Sequence, residues 1–145
     1  MECWYGAMGI GAVLHTLNPR LTAAQLADMA TQSGAGLIVA SADLATLAQD
    51  VARRAGARVL SIDGVAAGQA LESLIADASP DAVWGDFPET APSGLCFTSG
   101  TTGAPKGVTY THRSSFLHTL RVLQADVMAF TADDAVLAVV PMFHA

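Results

Sequence analysis

Positively charged side chains are scarce in this sequence. Seven Lys and Arg residues stand against thirteen Asp and Glu residues, which gives a formal net charge of −6 over 145 residues. Charged residues make up 14% of the chain, and Lys106 is its only lysine. No basic stripe runs along any segment, so the sequence does not favour a nucleic-acid partner.

Cysteine is scarce as well, with Cys3 and Cys96 far apart in the chain. Their spacing matches no common metal-binding pattern. Reduced thiols are the default for such a pair in an intracellular protein. We therefore predict a cytoplasmic protein with two free cysteines and no metal ligands in this chain.

Long hydrophobic runs are also missing. Residues 3–19 contain no Asp, Glu, Lys or Arg, but their apolar part ends near residue 14. A membrane-spanning helix needs about 20 apolar residues, and a secretory signal would begin with basic residues rather than Met1-Glu2. We therefore predict no membrane span and interpret residues 4–17 as a buried helix whose glycines and alanines allow close packing.

Hydrophobic residues make up 52% of the chain, enough for a substantial core. Periodicity and capping residues predict helices over residues 4–17, 23–33, 43–55, 69–78 and 112–128. Thr22 with Gln25 is a capping box, and Asp43 is the expected cap of the third helix. Apolar or β-branched runs predict strands over residues 36–40, 58–62, 108–111 and 135–140, while residues 79–94 form a surface connection. Alternating strands and helices imply an α/β fold on a mostly parallel sheet.

Two further expectations concern burial. The helix over residues 112–128 carries an apolar stripe that we expect to face the core: Phe116, Leu117, Leu120, Leu123 and Val127. The strands over residues 36–40 and 135–140 are apolar throughout, and we expect both to be buried.

The most informative segment is LCFTSGTTGAPKGV, residues 95–108. Its glycines Gly100, Gly103 and Gly107 permit positive φ and close approach to a ligand. Successive N–H groups of such a loop can point at one anion, and hydroxyls and Lys106 add further donors. Because the residues after the loop favour a strand, the segment predicts a strand–loop–strand phosphate clamp.

Other interpretations of this segment are possible from composition alone. The Walker A pattern does not fit, because Pro105 stands where its second glycine should be, and no dinucleotide-binding glycine pattern follows a strand. Glycine, serine and threonine clusters also occur in plain hairpin loops that bind nothing.

The order of residues 98–107 resembles the phosphate-loop signature of the adenylate-forming superfamily, which includes acyl-CoA synthetases, peptide-synthetase adenylation domains and firefly-type luciferases. Residues 11–21 (GAVLHTLNPRL) are similar to the early region of medium- and long-chain fatty acyl-CoA ligases, especially the methylmercaptopropionate-CoA ligase branch. Residues 141–145 (PMFHA) resemble the family's next motif.

This resemblance implies the roles of particular residues. The expected ligands of the ATP phosphates are Thr98, Ser99, Gly100, Thr101, Thr102, Gly103 and Lys106. His144 is expected to border the acyl pocket and position the substrate, while His15 and His112 are taken as structural.

The resemblance also implies a two-step reaction. A carboxylate attacks the α-phosphate of ATP and expels pyrophosphate, and the thiol of coenzyme A then displaces AMP from the acyl-adenylate. Mg²⁺ accompanies ATP, but its usual carboxylate ligand belongs to a later motif that is absent here. The ribose-binding aspartate, the hinge and the C-terminal catalytic lysine of the family are absent too.

These features predict that residues 1–145 form part of one adenylation domain, truncated at both ends and inactive without the remainder. The alternative is a stand-alone or degenerate nucleotide-binding protein without catalysis. A reading frame that continues beyond residue 145 into the family's next glycine-rich motif would favour the ligase, and a stop codon there would favour the alternative.

Overall fold

A computed structural model describes residues 1–64, 69–98 and 105–144. In chain order the elements are α1 (Glu2–Gly9), β1 (Leu14–His15), α2 (Ala23–Ser33), β2 (Leu37–Ala40), α3 (Ala45–Ala55), β3 (Arg58–Ser61), β4 (Gln69–Ala70), α4 (Leu71–Asp77), β5 (Pro92–Thr98), β6 (Lys106–Thr111) and α5 (His112–Val122). The chain divides into two compact units. We call residues 17–82 the scaffold unit, and residues 1–16 with 83–145 the hairpin unit.

The scaffold unit contains the predicted parallel sheet. Its strands lie in the order β2-β3-β4, with Leu37 paired to Arg58 and Leu60 paired to Gln69. Helices α2 and α3 pack together through a core of small and branched side chains: Leu26, Ala27, Ala30 and Val51. The prediction of successive β–α units on a parallel sheet is confirmed in this unit.

Local hydrogen bonding explains why α2 begins and ends where it does. The Thr22 hydroxyl accepts from the N–H of Gln25, and the Gln25 side-chain oxygen accepts from the N–H of Thr22 at 3.0 Å. Gly34 ends the helix at φ 67°, a backbone conformation that favours glycine. Both the capping box and the helix bounds were predicted correctly from sequence.

Three predictions in the scaffold unit were wrong. Asp43 caps no helix: it lies in a 3-10 turn, Ala42–Leu44, and the carboxylate of Asp63 instead accepts from the N–H of Ala42 at 3.2 Å. Strand β2, which we expected to be buried, is exposed on one face. The predicted helix over residues 69–78 begins as the short strand β4, because Gln69 and Ala70 pair with β3.

The hairpin unit contains a mixed sheet in the order β1-β5-β6. Strand β1 pairs with β5 in parallel, and β5 pairs with β6 antiparallel from Pro92 to Thr98. The central strand β5 is therefore hydrogen-bonded on both sides. It begins at Pro92, inside the segment that we had predicted as a connection without regular structure.

The predicted helix over residues 4–17 is also corrected. The helix contains no buried residue, contrary to the prediction of a buried helix. It ends at Gly9, because Gly11 has φ +78° and turns the chain out of the helix into β1. The expected close packing of glycines does occur: Trp84 lies where a side chain on Gly9 would stand, and Phe87 lies against Gly11.

Burial predictions fail after residue 112. Helix α5 ends at Val122, where residues 123–128 turn and the N–H of Met128 bonds the Val122 carbonyl at 3.2 Å. The expected core stripe is exposed, with Phe116 64% accessible. Residues 135–140 form no strand, because they pair with no strand among the described residues. No helix in the described part of the chain is long and apolar enough to cross a membrane.

Candidate functional site

The predicted phosphate clamp belongs to the segment that connects β5 to β6 in an antiparallel hairpin. Strand β5 ends at Thr98 and strand β6 begins at Lys106, and these two residues are partners in the antiparallel register. The prediction of a strand on each side of the loop is confirmed. Five of the predicted ligands lie outside the described residues: Ser99, Gly100, Thr101, Thr102 and Gly103.

Thr98 closes the base of the loop. Its hydroxyl donates to the carbonyl oxygen of Lys106, with 3.4 Å between the two oxygens. The single O–H of this side chain is therefore engaged across the hairpin, and only its oxygen lone pairs remain to interact with a ligand. Binding of phosphate by Thr98 stays a prediction, and the geometry gives the residue a structural task beside it.

Lys106 carries the positive charge of the hairpin into solvent. It is exposed, and the ion pairs found among the described residues join Arg53 and Arg54 to Asp50 and Arg113 to Glu89. None of these neutralises Lys106. An ammonium group without a carboxylate partner at the mouth of a loop is suited to bind an anion.

Gly107 has a different task from the one we predicted. Its φ does not fall in the positive range that favours glycine, since it lies within β6. A Cβ there would stand 3.1 Å from Leu95 Cδ1 and 3.4 Å from Phe97 Cζ. The position therefore suits glycine because neighbouring side chains fill the space above it.

His15 and Thr16, at the end of β1, contact residues of β5. The ring of His15 lies 5.1 Å from that of Phe97, centroid to centroid, with 35° between the planes. The Thr16 hydroxyl and the Cys96 thiol are 3.4 Å apart. Burial lowers the pKa of His15 below its ordinary value of 6.5, so its imidazole is neutral at pH 7.

His144 stays a prediction as a residue of the acyl pocket. It is exposed, its ring lies 4.8 Å from that of Phe143, and its N–H bonds the Pro141 carbonyl at 3.1 Å. No hydrogen bond or ring contact within the described ranges joins it to Thr98 or Lys106. His112, expected to be structural, begins α5 and packs its ring 4.4 Å from that of Phe87.

The contact between the rings of His15 and Phe97 was not predicted from the sequence. His15 was assigned a structural role without a partner, and Phe97 was treated only as part of an apolar run. The signal that could have found the contact is the alternation of side chains along β5, which places Leu95 and Phe97 on one face. The partner of that face could not be known before the pairing of β1 with β5.

The family model for AMP-binding enzymes matches residues 1–145, the whole chain. This chain belongs to the AMP-binding enzyme family. Among curated relatives of this family member, 3-methylmercaptopropionyl-CoA ligase of Ruegeria pomeroyi is 35% identical over 99% of the chain. Medium-chain-fatty-acid–CoA ligase of Ectopseudomonas oleovorans is 34% identical, also over 99% of the chain.

A solved structure supports the same assignment. The ATP-bound crystal structure of MatB from Rhodopseudomonas palustris matches 97% of this chain with a TM-score of 0.79 and 25% identity. The α/β fold of the family is thereby confirmed. The chain spans 29% of the Ruegeria ligase, 28% of the Ectopseudomonas ligase and 27% of the MatB chain.

Proposed function

We propose that this chain carries the ATP-phosphate-binding loop of an AMP-forming acyl-CoA ligase and forms part of a single adenylation domain. The proposal is carried by the pairing of Lys106 with Thr98 at the two strand ends that flank the loop. Among the described residues, Lys106 has no carboxylate partner. The names of relatives at 34–35% identity support an acid–thiol ligase. A cytoplasmic location is part of the proposal.

The proposed substrates are ATP, coenzyme A and a fatty or other short- or medium-chain carboxylic acid. In the first step a carboxylate oxygen bonds the α-phosphorus of ATP while the bond to pyrophosphate breaks. In the second, the thiol sulfur of coenzyme A bonds the acyl carbon, AMP leaves, and the thiol proton is released. Both steps balance without an oxidant or reductant.

Within this chain, the proposed contribution is to hold the leaving group. The ammonium of Lys106 and the loop between Thr98 and Lys106 would bind the β- and γ-phosphates, aligning pyrophosphate for departure and stabilising its charge. The hydrogen bond from Thr98 to the Lys106 carbonyl holds the two ends of the loop together. His144 is proposed for the acyl side of the site.

Mg²⁺ enters the proposal only as the ion that accompanies ATP. Among residues 1–64, 69–98 and 105–144, no cluster of three His, Cys, Asp or Glu side chains could hold a metal ion. The described residues therefore do not fit a dedicated metal site, and no step is assigned to one.

The proposal is tested by grafting. The matching segment of the Ruegeria ligase is replaced by this chain, and the graft is assayed for CoA-ester formation with 3-methylmercaptopropionate. We expect an active graft in which Lys106→Ala loses about 2–3 kcal/mol of binding to ATP, roughly 30- to 150-fold in kcat/KM. Arg121→Ala, which removes an exposed cation on α5, is the matched control and should have little effect.

Two outcomes contradict the proposal. In a folded, active graft, Lys106→Ala with an unchanged rate shows that Lys106 does not contact the phosphates. A folded graft that binds ATP but forms no acyl-adenylate favours the non-catalytic alternative. The chain by itself should give no ATP–pyrophosphate exchange, and exchange with any fatty acid would refute the expectation that it needs the remainder of the domain.

A further inference from the structure

We infer that His15 is a positioning residue for Thr98 and Lys106, the two strand ends that flank the predicted phosphate loop, acting through the ring of Phe97. The inference rests on the proposed function for what the loop binds, but its structural part concerns only how these two strand ends are held. It begins from the register of the three-stranded sheet, in which β5 lies between β1 and β6.

The register places one set of side chains on one face of this sheet. His15 is the partner of Leu95, and Phe97 is the partner of Gly107. Because alternate residues of a strand share a face, Leu95 and Phe97 point to the same side as their partners. The opposite face carries the contact between Thr16 and Cys96 and the pair of Thr98 with Lys106.

The ring of Phe97 lies between His15 and Gly107 on this face. On the β1 side, its ring lies 5.1 Å from the ring of His15, a distance typical of a packed aromatic pair. On the β6 side, Phe97 Cζ would be 3.4 Å from a Cβ placed on Gly107. The ring therefore occupies space between an imidazole and a backbone position that has no side chain.

The Phe97 ring is linked to the Thr98–Lys106 pair through residues that are adjacent in sequence. Phe97 directly precedes Thr98, and Gly107 directly follows Lys106. Because of this adjacency, we expect a displaced Phe97 ring to disturb both strand ends. The Thr98–Lys106 contact at 3.4 Å has little margin as a hydrogen bond. His15 is neutral because burial lowers its pKa, so it supplies a ring face here rather than a charge.

The test compares His15→Ala with His15→Phe, which keeps a ring but removes both nitrogens. His118→Ala, at an exposed histidine of α5, is the control. Amide hydrogen exchange of the full chain is followed at residues 96–98 and 106–108. We expect His15→Ala to speed exchange there about tenfold, and His15→Phe and His118→Ala to stay within about twofold of the unaltered chain.

Gly107→Ala adds a coupling test. Alone, the added Cβ should press on Leu95 Cδ1, 3.1 Å away, and touch the Phe97 ring at 3.4 Å, and so speed exchange at the same amides. With His15→Ala also present, the ring has room to yield, so the combined effect should fall several-fold short of the product of the two single effects. Strictly multiplicative effects would contradict the inference.

Two other exchange results overturn it. Unchanged exchange in His15→Ala shows that the ring contact does not hold the strand ends. Equal increases in exchange in His15→Ala and His15→Phe show that the ring face is not what matters. An increase spread evenly over α1 and α5 as well as the hairpin assigns His15 to general packing and also overturns a positioning role.

A second experiment, with nucleotide added, distinguishes failure of this inference from failure of the proposed function. Protection of Lys106 by MgATP against amine acylation should be several-fold weaker in His15→Ala than in His15→Phe. If even the unaltered chain shows no such protection, the proposed function is refuted, while the exchange comparison still decides whether His15 positions the hairpin.

Discussion

The scaffold unit and the hairpin unit have similar hydrophobic patterns but bury them to different extents. In the scaffold unit, Leu26, Ala30 and Val51 are 1–3% exposed. In the hairpin unit the buried residues of the described part are Ser93 and Cys96, and α5 has none. Helical periodicity alone therefore predicted a core in both units, but only α2 and α3 have each other as partners.

The difference also separates two tasks. The scaffold unit is held by apolar packing between elements close in sequence. In the hairpin unit, paired strands bring residues from distant parts of the chain next to Thr98 and Lys106, the two strand ends that flank the loop. Changes in the first unit should cost stability, and changes in the second should affect the loop and its ligand.

The largest expected effect is a loss of core packing in the scaffold unit. Leu26→Ala removes most of a side chain that is 3% exposed, and such truncations cost about 2–5 kcal/mol. Urea unfolding followed by far-UV circular dichroism measures the loss. Thr31→Ala, on the exposed face of the same helix, should stay within about 0.5 kcal/mol and serves as the control. Equal effects of the two changes would remove the distinction between the faces of α2.

A smaller effect separates the helices by how they are held. Helices α2 and α5 both begin with a capping box, at Thr22 and Thr111. Replacing either by alanine should cost about 1 kcal/mol locally. Because α5 has no buried residue, Thr111→Ala should lose more helical structure than Thr22→Ala, whose helix is held by packing. Helicity measured by circular dichroism and amide exchange checks this, and a larger loss in α2 would contradict it.

The smallest effect is a pH dependence of the hairpin unit. Burial lowers the folded-state pKa of His15, so below pH 6.5 the unfolded chain binds more protons at this residue than the folded chain does. The free energy of unfolding therefore has its full His15 contribution above pH 6.5. That contribution is lost as the pH falls through the folded-state pKa. Trp4 and Trp84 both belong to this unit, so their fluorescence follows its unfolding.

His15→Phe should flatten that pH profile between pH 7 and pH 5. Asp50 provides a separate acid effect, because its pKa is lowered, mainly by a hydrogen bond from Arg54, and its contribution is lost below pH 4. A profile that keeps its slope in His15→Phe would show that another group is responsible.

What could be predicted from sequence depended on the range of the interaction. The capping box at Thr22, the helix end at Gly34 and the strands around the loop follow from residues within a few positions of one another. The two-residue strand β1 could not be predicted, since it exists only through pairing with β5, about 80 residues later. Burial of Phe116 was predicted wrongly for the same reason: hydrophobic periodicity does not reveal whether a partner is present.

The candidate site follows the same division. The residue order of the loop identified its family and its two flanking strands, and the structure agrees on both. The packing of Phe97 against His15 and over Gly107 depends on the pairing of β5 with both β1 and β6. No local pattern in residues 98–107 indicates that His15 packs against Phe97.

The central claim, that Lys106 faces the phosphates of ATP, can be tested directly because the chain has one lysine. Its amines are therefore Lys106 Nζ and the Met1 α-amine, which serves as an internal control. Both are acetylated at trace reagent concentration with no nucleotide, with MgATP and with AMP, and the two sites are quantified by peptide mass spectrometry. MgATP should slow acetylation of Lys106 and leave Met1 unchanged, while AMP, which lacks the β- and γ-phosphates, should protect neither. Equal acetylation of Lys106 with and without saturating MgATP would contradict the account.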